Sequence, residues 1–218
     1  QKLYYRLFKH VILPFFRPQI NAYLPQTADS AALLRNELGI PYSRMTHVTL
    51  GTDVSRFKFK ASDRLAKRKE LGIDPDATVL LFVGRIVPEK DVHVLVQAAS
   101  DLMSHNPQIW LLLIGPIKEA YRTRLLSMVP QDIRNRIYIP GFIAYNDLPP
   151  YYSASDIGVW PGNIGVAIID GLSRGLPLVV RSSQETRHLL TMENGLTFTR
   201  NDCDDLTAKI TALTQNHS

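Results

Sequence analysis

From residue 78 onward, apolar residues fall into short unbroken runs, each followed by a stretch with helical spacing. The runs predict strands over 78–83, 109–114, 137–139, 157–160, 177–181 and 196–198, the first two closed by Gly84 and Gly115. Between them, Val92, Leu95, Val96 and Ala99 mark one face of a helix over 91–104. Similar spacing predicts helices over 120–129, 165–174 and 204–213, and a short one over 147–154 that Pro149 and Pro150 interrupt early. Strands that are apolar throughout are buried on both faces. Strict alternation of strand and helix implies right-handed crossovers and one parallel sheet. The expected class is α/β, a parallel sheet with helices on both faces. Such sheets bind ligands at the carboxyl ends of their strands.

The first third of the chain reads differently. Leu3, Leu7, Val11 and Pro14 share one helical stripe, with Tyr4, Phe8 and Phe15 beside it. Pro14 or Pro18 should kink or end that helix. Its charges are Lys2, Arg6, Lys9 and Arg17, with no acid before Asp29. Such a helix either packs on a further domain or lies on an anionic lipid surface. Asp29 or Ser30 can cap a short helix that Gly39 ends. A strand over 45–50, a turn over 51–53 and a solvated, charged linker and helix over 56–70 complete this part.

Composition narrows the class. With 45% hydrophobic and 21% charged residues in 218, the chain is globular, not disordered. Its single cysteine, Cys203, excludes an internal disulfide and points to a reducing compartment, hence a cytoplasmic protein. The net charge of +5 points to anionic partners. No arginine-rich tract, zinc-knuckle spacing or RNA-binding signature accompanies it, so nucleic acid is not expected. No apolar stretch is long enough to span a membrane. His10, His47, His93, His105, His188 and His217 have neither helical pair spacing nor a cysteine partner, so no metal site is expected. His188 follows a strand end but reads as structural. Cys203 sits among Asp202, Asp204 and Asp205, which disfavour its thiolate.

Candidate chemistry lies at successive strand ends. After the first strand, Gly84 permits a tight turn, and Arg85 and Lys90 offer a planar fork and a point charge suited to a diphosphate. Glu89 could orient Lys90 or meet a ligand hydroxyl. After the fourth strand, Gly162, Asn163, Ile164 and Gly165 open the helix that begins Val166, Ala167, so backbone N–H groups can meet an anion. Asp170 lies further along that helix, where a carboxylate could reach ribose hydroxyls. After the third strand, the backbone of Phe142 and Ile143 could pair with the edge of a flat base. Tyr145, Tyr151 and Tyr152 read as packing residues.

In order and spacing, these elements resemble the C-terminal nucleotide-binding domain of the group 1 glycosyltransferases, which have the GT-B fold. The family's Asn-Gly-Val-Asp entry, with Phe shortly after, is similar to residues 50–57. Its Gly-Arg-Leu-x-x-Glu-Lys-Gly is similar to residues 84–90, with Asp91 in place of the last glycine. Its Gly…Leu-x-x-Tyr-Tyr-x-x-Ala-Asp is similar to residues 141–156, through Leu148, and its Glu-Ala-Met-Ala-x-Gly-x-Pro-Val-Val to residues 170–180. The family's two glutamates, separated by seven residues, correspond to Gly162 and Asp170.

The resemblance implies a Rossmann-like domain over 50–218, and in residues 1–49 the end of an N-terminal acceptor domain. It implies a nucleotide-diphosphate sugar, UDP- or GDP-linked, as donor, and a glycan or lipid-linked acceptor. Arg85 and Lys90 would hold the diphosphate and stabilise charge on the leaving group without a metal or other cofactor. Phe142, Ile143 and Leu148 would meet the nucleoside and Asp170 the ribose. The 162–167 turn would face the sugar and distal phosphate. The implied reaction is a retaining sugar transfer, of which this chain would be the donor-binding half, inactive alone. It starts at Gln1 rather than Met and is expected to be a piece of a longer protein. The first helix would allow peripheral contact with the cytoplasmic face of a membrane. A sugar-nucleotide epimerase of similar fold and a non-catalytic nucleotide- or partner-binding module are the alternatives. Asp91 is expected to weaken the neighbouring cations.

Overall fold

The computed structural model describes residues 2–49, 51–163, 165–183, 186, 189–190 and 193–215. Leu50, Ile164, Glu185, His188 and His217 lie outside them. The chain forms two compact units, Gln1–Gly51 and Thr52–Ser218.

In the first unit, helix α1 (Lys2–Leu7) runs through a π turn (Phe8–Ile12) into α2 (Leu13–Phe16). Pro14 does not break it. It sits at the start of α2, directly after the wider π turn, which takes up the local change in helix geometry. Pro18 lies in the 3-10 turn Arg17–Gln19, after which the backbone becomes extended at Ile20. The cap of α3 (Ala28–Asn36) is Thr27, not Asp29 or Ser30. Thr27 is extended, as a cap must be, and its hydroxyl accepts from the Ser30 N–H at 3.1 Å while Ser30 Oγ accepts from the Thr27 N–H at 3.0 Å. The strand expected over 45–50 reduces to a single bridge between Tyr23 and Met45. Pro25, alongside it, has no N–H to extend the ladder.

The second unit opens with α4 (Val54–Phe57), capped by Asp53, and α5 (Ala61–Leu71). Six strands follow: β1 (Thr78–Val83), β2 (Ile109–Ile114), β3 (Ile137–Gly141), β4 (Ile157–Trp160), β5 (Leu178–Arg181) and β6 (Gly195–Phe198). They form one sheet in the order β3-β2-β1-β4-β5-β6, and every adjacent pair is parallel. The connecting helices are α6 (Val92–His105), α7 (Glu119–Ser127), α8 (Pro149–Ala154) and α9 (Val166–Arg174), with α10 (Cys203–Gln215) last. Helices α6 and α10 pack on each other and on β2, β5 and β6, while α4, α5, α8 and α9 form a second packed group that reaches β4. The class is therefore the expected α/β, Rossmann-like parallel sheet. Pro149 and Pro150 do not interrupt α8; they start it, where proline is tolerated.

The solvated reading of residues 56–70 fails at Arg68, which is 2% exposed. Its guanidinium donates to the carbonyls of Ala154 (2.9 Å), Asp74 (3.1 Å), Pro75 (2.7 Å) and Ala77 (2.8 Å) and pairs with Asp156 at 2.6 Å. Asp156 also accepts from the Val79 N–H at 2.7 Å and pairs with Arg64 at 2.7 Å. A guanidinium whose three nitrogens all find acceptors can be buried. No helix among the described residues is long and apolar enough to cross a membrane.

Candidate functional site

The carboxyl ends of β1 and β2 meet through glycine. Gly84 (φ 152°) and Gly115 (φ 145°) lie where other residues rarely go, and a β carbon on Gly115 would fall 1.9 Å from the Gly84 carbonyl oxygen. Ile86 then bridges to Ile117, leaving Arg85 exposed beyond the sheet. A 3-10 turn over Pro88–Lys90 carries Lys90 back toward β4.

Asp91, which follows, takes the left-handed conformation (φ 51°) that a glycine would take freely. Its carboxylate is buried and accepts from Arg200 Nε at 3.3 Å. Its charge is thus paired with Arg200.

At the end of β4, the Trp160 indole donates to the Val83 carbonyl at 3.0 Å and ties the two strand ends together. In the turn that follows, a β carbon on Gly162 would lie 2.4 Å from the carbonyl carbon of Lys90, so this backbone admits no side chain there. The Lys90 ammonium donates to the Asn163 carbonyl. Arg181, at the end of β5, donates to Asn163 Oδ1 at 3.0 Å. Helix α9 then starts from an extended Gly165 with no side-chain cap and no acid in its first turn. Its leading N–H groups and positive dipole end are left for an anion.

Together these elements form a cleft of about 260 Å³ lined by Gly84, Arg85, Lys90, Trp160, Gly165, Val166 and Ala167, with Phe82 and Val83 at its base. Six residues expected at the site thus share one cleft, and Gly162 and Asn163 form the turn beside it. Phe142 (73% exposed) and Ile143 line a second cleft, of about 530 Å³, with Lys67, Ala144, Asn146, Asp147, Pro150 and Tyr151. There Lys67 Nζ sits 4.4 Å over the Tyr151 ring.

Three further expected residues line neither cleft nor that turn. Glu89 is exposed on the 3-10 turn, and Leu148 is buried in the core. Asp170 is 2% exposed and accepts from the hydroxyls of Thr52 and Tyr145, the latter at 3.4 Å. Burial pushes its carboxyl above the ordinary range, and the two hydroxyls oppose that shift. Two residues that shape the site carry a signal the sequence reading passed over. Trp160 and Arg181 each close an apolar strand at its carboxyl end, where ligands bind. Cys203 has its thiol pushed up, first by burial and then by surrounding carboxylates. Among the described residues, no three His, Cys, Asp or Glu side chains converge as a metal site would require.

The sheet order, the paired glycines and the cleft at the strand ends define a Rossmann-like α/β domain. Residues 63–218 match the family described as Glycosyl transferases group 1. The chain belongs to that family. It is 30% identical over 167 residues to D-inositol 3-phosphate glycosyltransferase 2 of Catenulispora acidiphila, covering 72% of this chain and 39% of that protein. It is 41% identical over 164 residues to the D-inositol 3-phosphate glycosyltransferase of Geodermatophilus obscurus, covering 70% of this chain and 36% of that one. It is also 25% identical over 178 residues to a GDP-mannose-dependent monoacylated phosphatidylinositol monomannoside mannosyltransferase of Corynebacterium glutamicum, covering 77% and 46%. The chain therefore spans less than half the length of these relatives.

Among solved structures, a glycosyltransferase of Rickettsia africae superposes with a TM-score of 0.80 at 17% identity, covering 98% of this chain and 57% of that one. HepE of Anabaena, solved with UDP and glucose, superposes with a TM-score of 0.77 at 22% identity, covering 90% and 54%. At these identities the likeness is one of fold.

Proposed function

We propose that this chain is the donor-binding half of a glycosyltransferase that moves a sugar from a nucleotide-diphosphate donor to a glycan or lipid-linked acceptor. One observation carries the reading: Arg85, Lys90 and the uncapped start of α9 converge on one cleft at the ends of β1 and β4. A diphosphate placed there meets two cations and a helix dipole end. The same groups would stabilise charge growing on the leaving nucleoside diphosphate, the task a divalent metal performs in other sites. The base would meet the backbone of Phe142 and Ile143, and Asp170 would reach the ribose once Thr52 and Tyr145 yield its Oδ1. UDP in the Anabaena structure and GDP-mannose in the name of the Corynebacterium relative support a UDP- or GDP-linked donor. A retaining outcome rests on the family resemblance alone. Because the chain spans 39% of the Catenulispora relative, the acceptor groups are assigned to a further domain, and the chain alone binds nucleotide without transferring sugar.

Calorimetric titration with UDP, GDP and ADP tests the reading. Arg85→Ala and Lys90→Ala should each weaken the nucleotide that binds by roughly thirtyfold, about 2 kcal/mol. Binding of none of the three would overturn the donor site. Tight binding indifferent to both substitutions would move it elsewhere.

A further inference from the structure

Resting on that donor-site reading, we propose that Arg181 makes the site selective for a donor whose sugar carries a carboxylate. A nucleotide-diphosphate sugar with a neutral sugar has two ionised phosphoryl groups, and Arg85 and Lys90 already supply two cations. Arg181 is a third, and it stands elsewhere. It closes β5, and β4 lies between β5 and β1. Two strand spacings put the two strand ends roughly 10 Å apart. The diphosphate fits the β1 side of the turn after β4, and the sugar beyond it fits the β5 side.

The contacts around Asn163 agree. Lys90 donates to its carbonyl and Arg181 Nη2 to its side-chain oxygen at 3.0 Å, so the turn is held between cations arriving from two strands. The Asn163 amide oxygen is neutral and occupies one arm of the Arg181 fork. Arg181 Nε is shut off from solvent and has no hydrogen-bond partner. Among the described residues, nearby acids do not fill the gap. Gly162 has no room for a side chain, Glu89 is exposed on the far turn, and Asp91 is matched by Arg200. A carboxylate offers two oxygens in the geometry a guanidinium fork prefers. A sugar hydroxyl would leave the charge unmatched.

The test is titration of the 218-residue chain with UDP, UDP-glucose and UDP-glucuronate, and with GDP, GDP-mannose and GDP-mannuronate. Within whichever base binds, the uronate should bind roughly tenfold more tightly than its neutral counterpart. Arg181→Gln should abolish that preference and leave the bare nucleoside diphosphate unchanged, and Arg181→Lys should keep part of it. Raising the salt should shrink the preference. Equal binding of neutral and acidic sugars overturns this inference and leaves the donor site standing. So does an Arg181→Gln variant that weakens UDP or GDP as much as the uronate, because Arg181 would then be a phosphate ligand. If no nucleotide binds, the donor-site reading falls and this one with it.

Discussion

Asp170 shows how a single carboxylate can be costly and useful together. It is buried beneath two hydroxyls, and burial raises its pKa above the ordinary 3.8. Below pH 3.8 the folded and unfolded chains both hold the proton, and no penalty exists. As pH rises past that value the unfolded chain ionises freely while the folded one resists, so stability is lost as pH climbs through the folded pKa. Asp170→Asn never ionises. Its thermal midpoint should exceed that of the parent chain at pH 7, and the gap should close as the pH falls toward 4. A gap independent of pH, or a less stable variant at pH 7, would refute this reading. If Asp170 meets the ribose, the same variant binds nucleotide more weakly, since a neutral amide accepts less strongly than a carboxylate. The motif spacing placed Asp170 on its helix, but its partner Thr52 lies 118 residues away in the sequence, and no local pattern reports such a contact.

At the scale of elements, legibility follows burial. The six strands were readable because continuous apolar runs such as 78–83 and 109–114 have one physical use, a sheet covered on both faces. Their order was not readable, since periodicity carries no information about neighbours. Helix α5 misled for the opposite reason: its charges look like a solvated face, yet Arg68 is the clasp that joins α5 to the start of β1 and to the segment between α8 and β4. Burial presses the Arg68 pKa down and the Asp156 carboxylate opposes it. Arg68→Met keeps the length and removes every donor. It should leave the carbonyls of Pro75 and Ala77 without that donor and Asp156 with one cation fewer, at a cost of about 3–5 kcal/mol. Urea melts of the two chains measure it. A loss under about 1 kcal/mol, the size of an exposed pair, would mean that the clasp is ornamental.

For the whole molecule, the net charge of +5 has two homes. One is the cleft with Arg85 and Lys90 and, beside it, Arg181. The other is the start of the chain, where Lys2, Arg6, Lys9 and Arg17 meet no acid before Asp29. That segment also shows solvent an unusual share of large apolar side chains: Leu3 and Tyr4 are each 78% exposed, and Phe15 is 71% exposed. The one described ion pair there, Lys9 with Glu37 at 3.4 Å, is exposed and worth little. Basic and apolar groups on one short helical run suit the headgroup region of an anionic membrane, where each cation contributes roughly 1 kcal/mol and buried apolar area adds to it. Such a segment lies either against a further domain or on an anionic lipid surface, and vesicle binding separates the two. The chain should pellet with phosphatidylglycerol vesicles at low salt, stay in solution with phosphatidylcholine vesicles, and be released near 1 M salt, where the screening length is about 3 Å. Arg6→Glu with Lys9→Glu should cut vesicle binding at least tenfold by the same count of charges. Tyr4→Ser with Phe15→Ser should cut it through lost apolar burial while preserving the salt dependence. If the parent chain pellets equally without lipid, or if both double variants bind as it does, the exposed face belongs against protein, and the charge at the start of the chain needs another explanation.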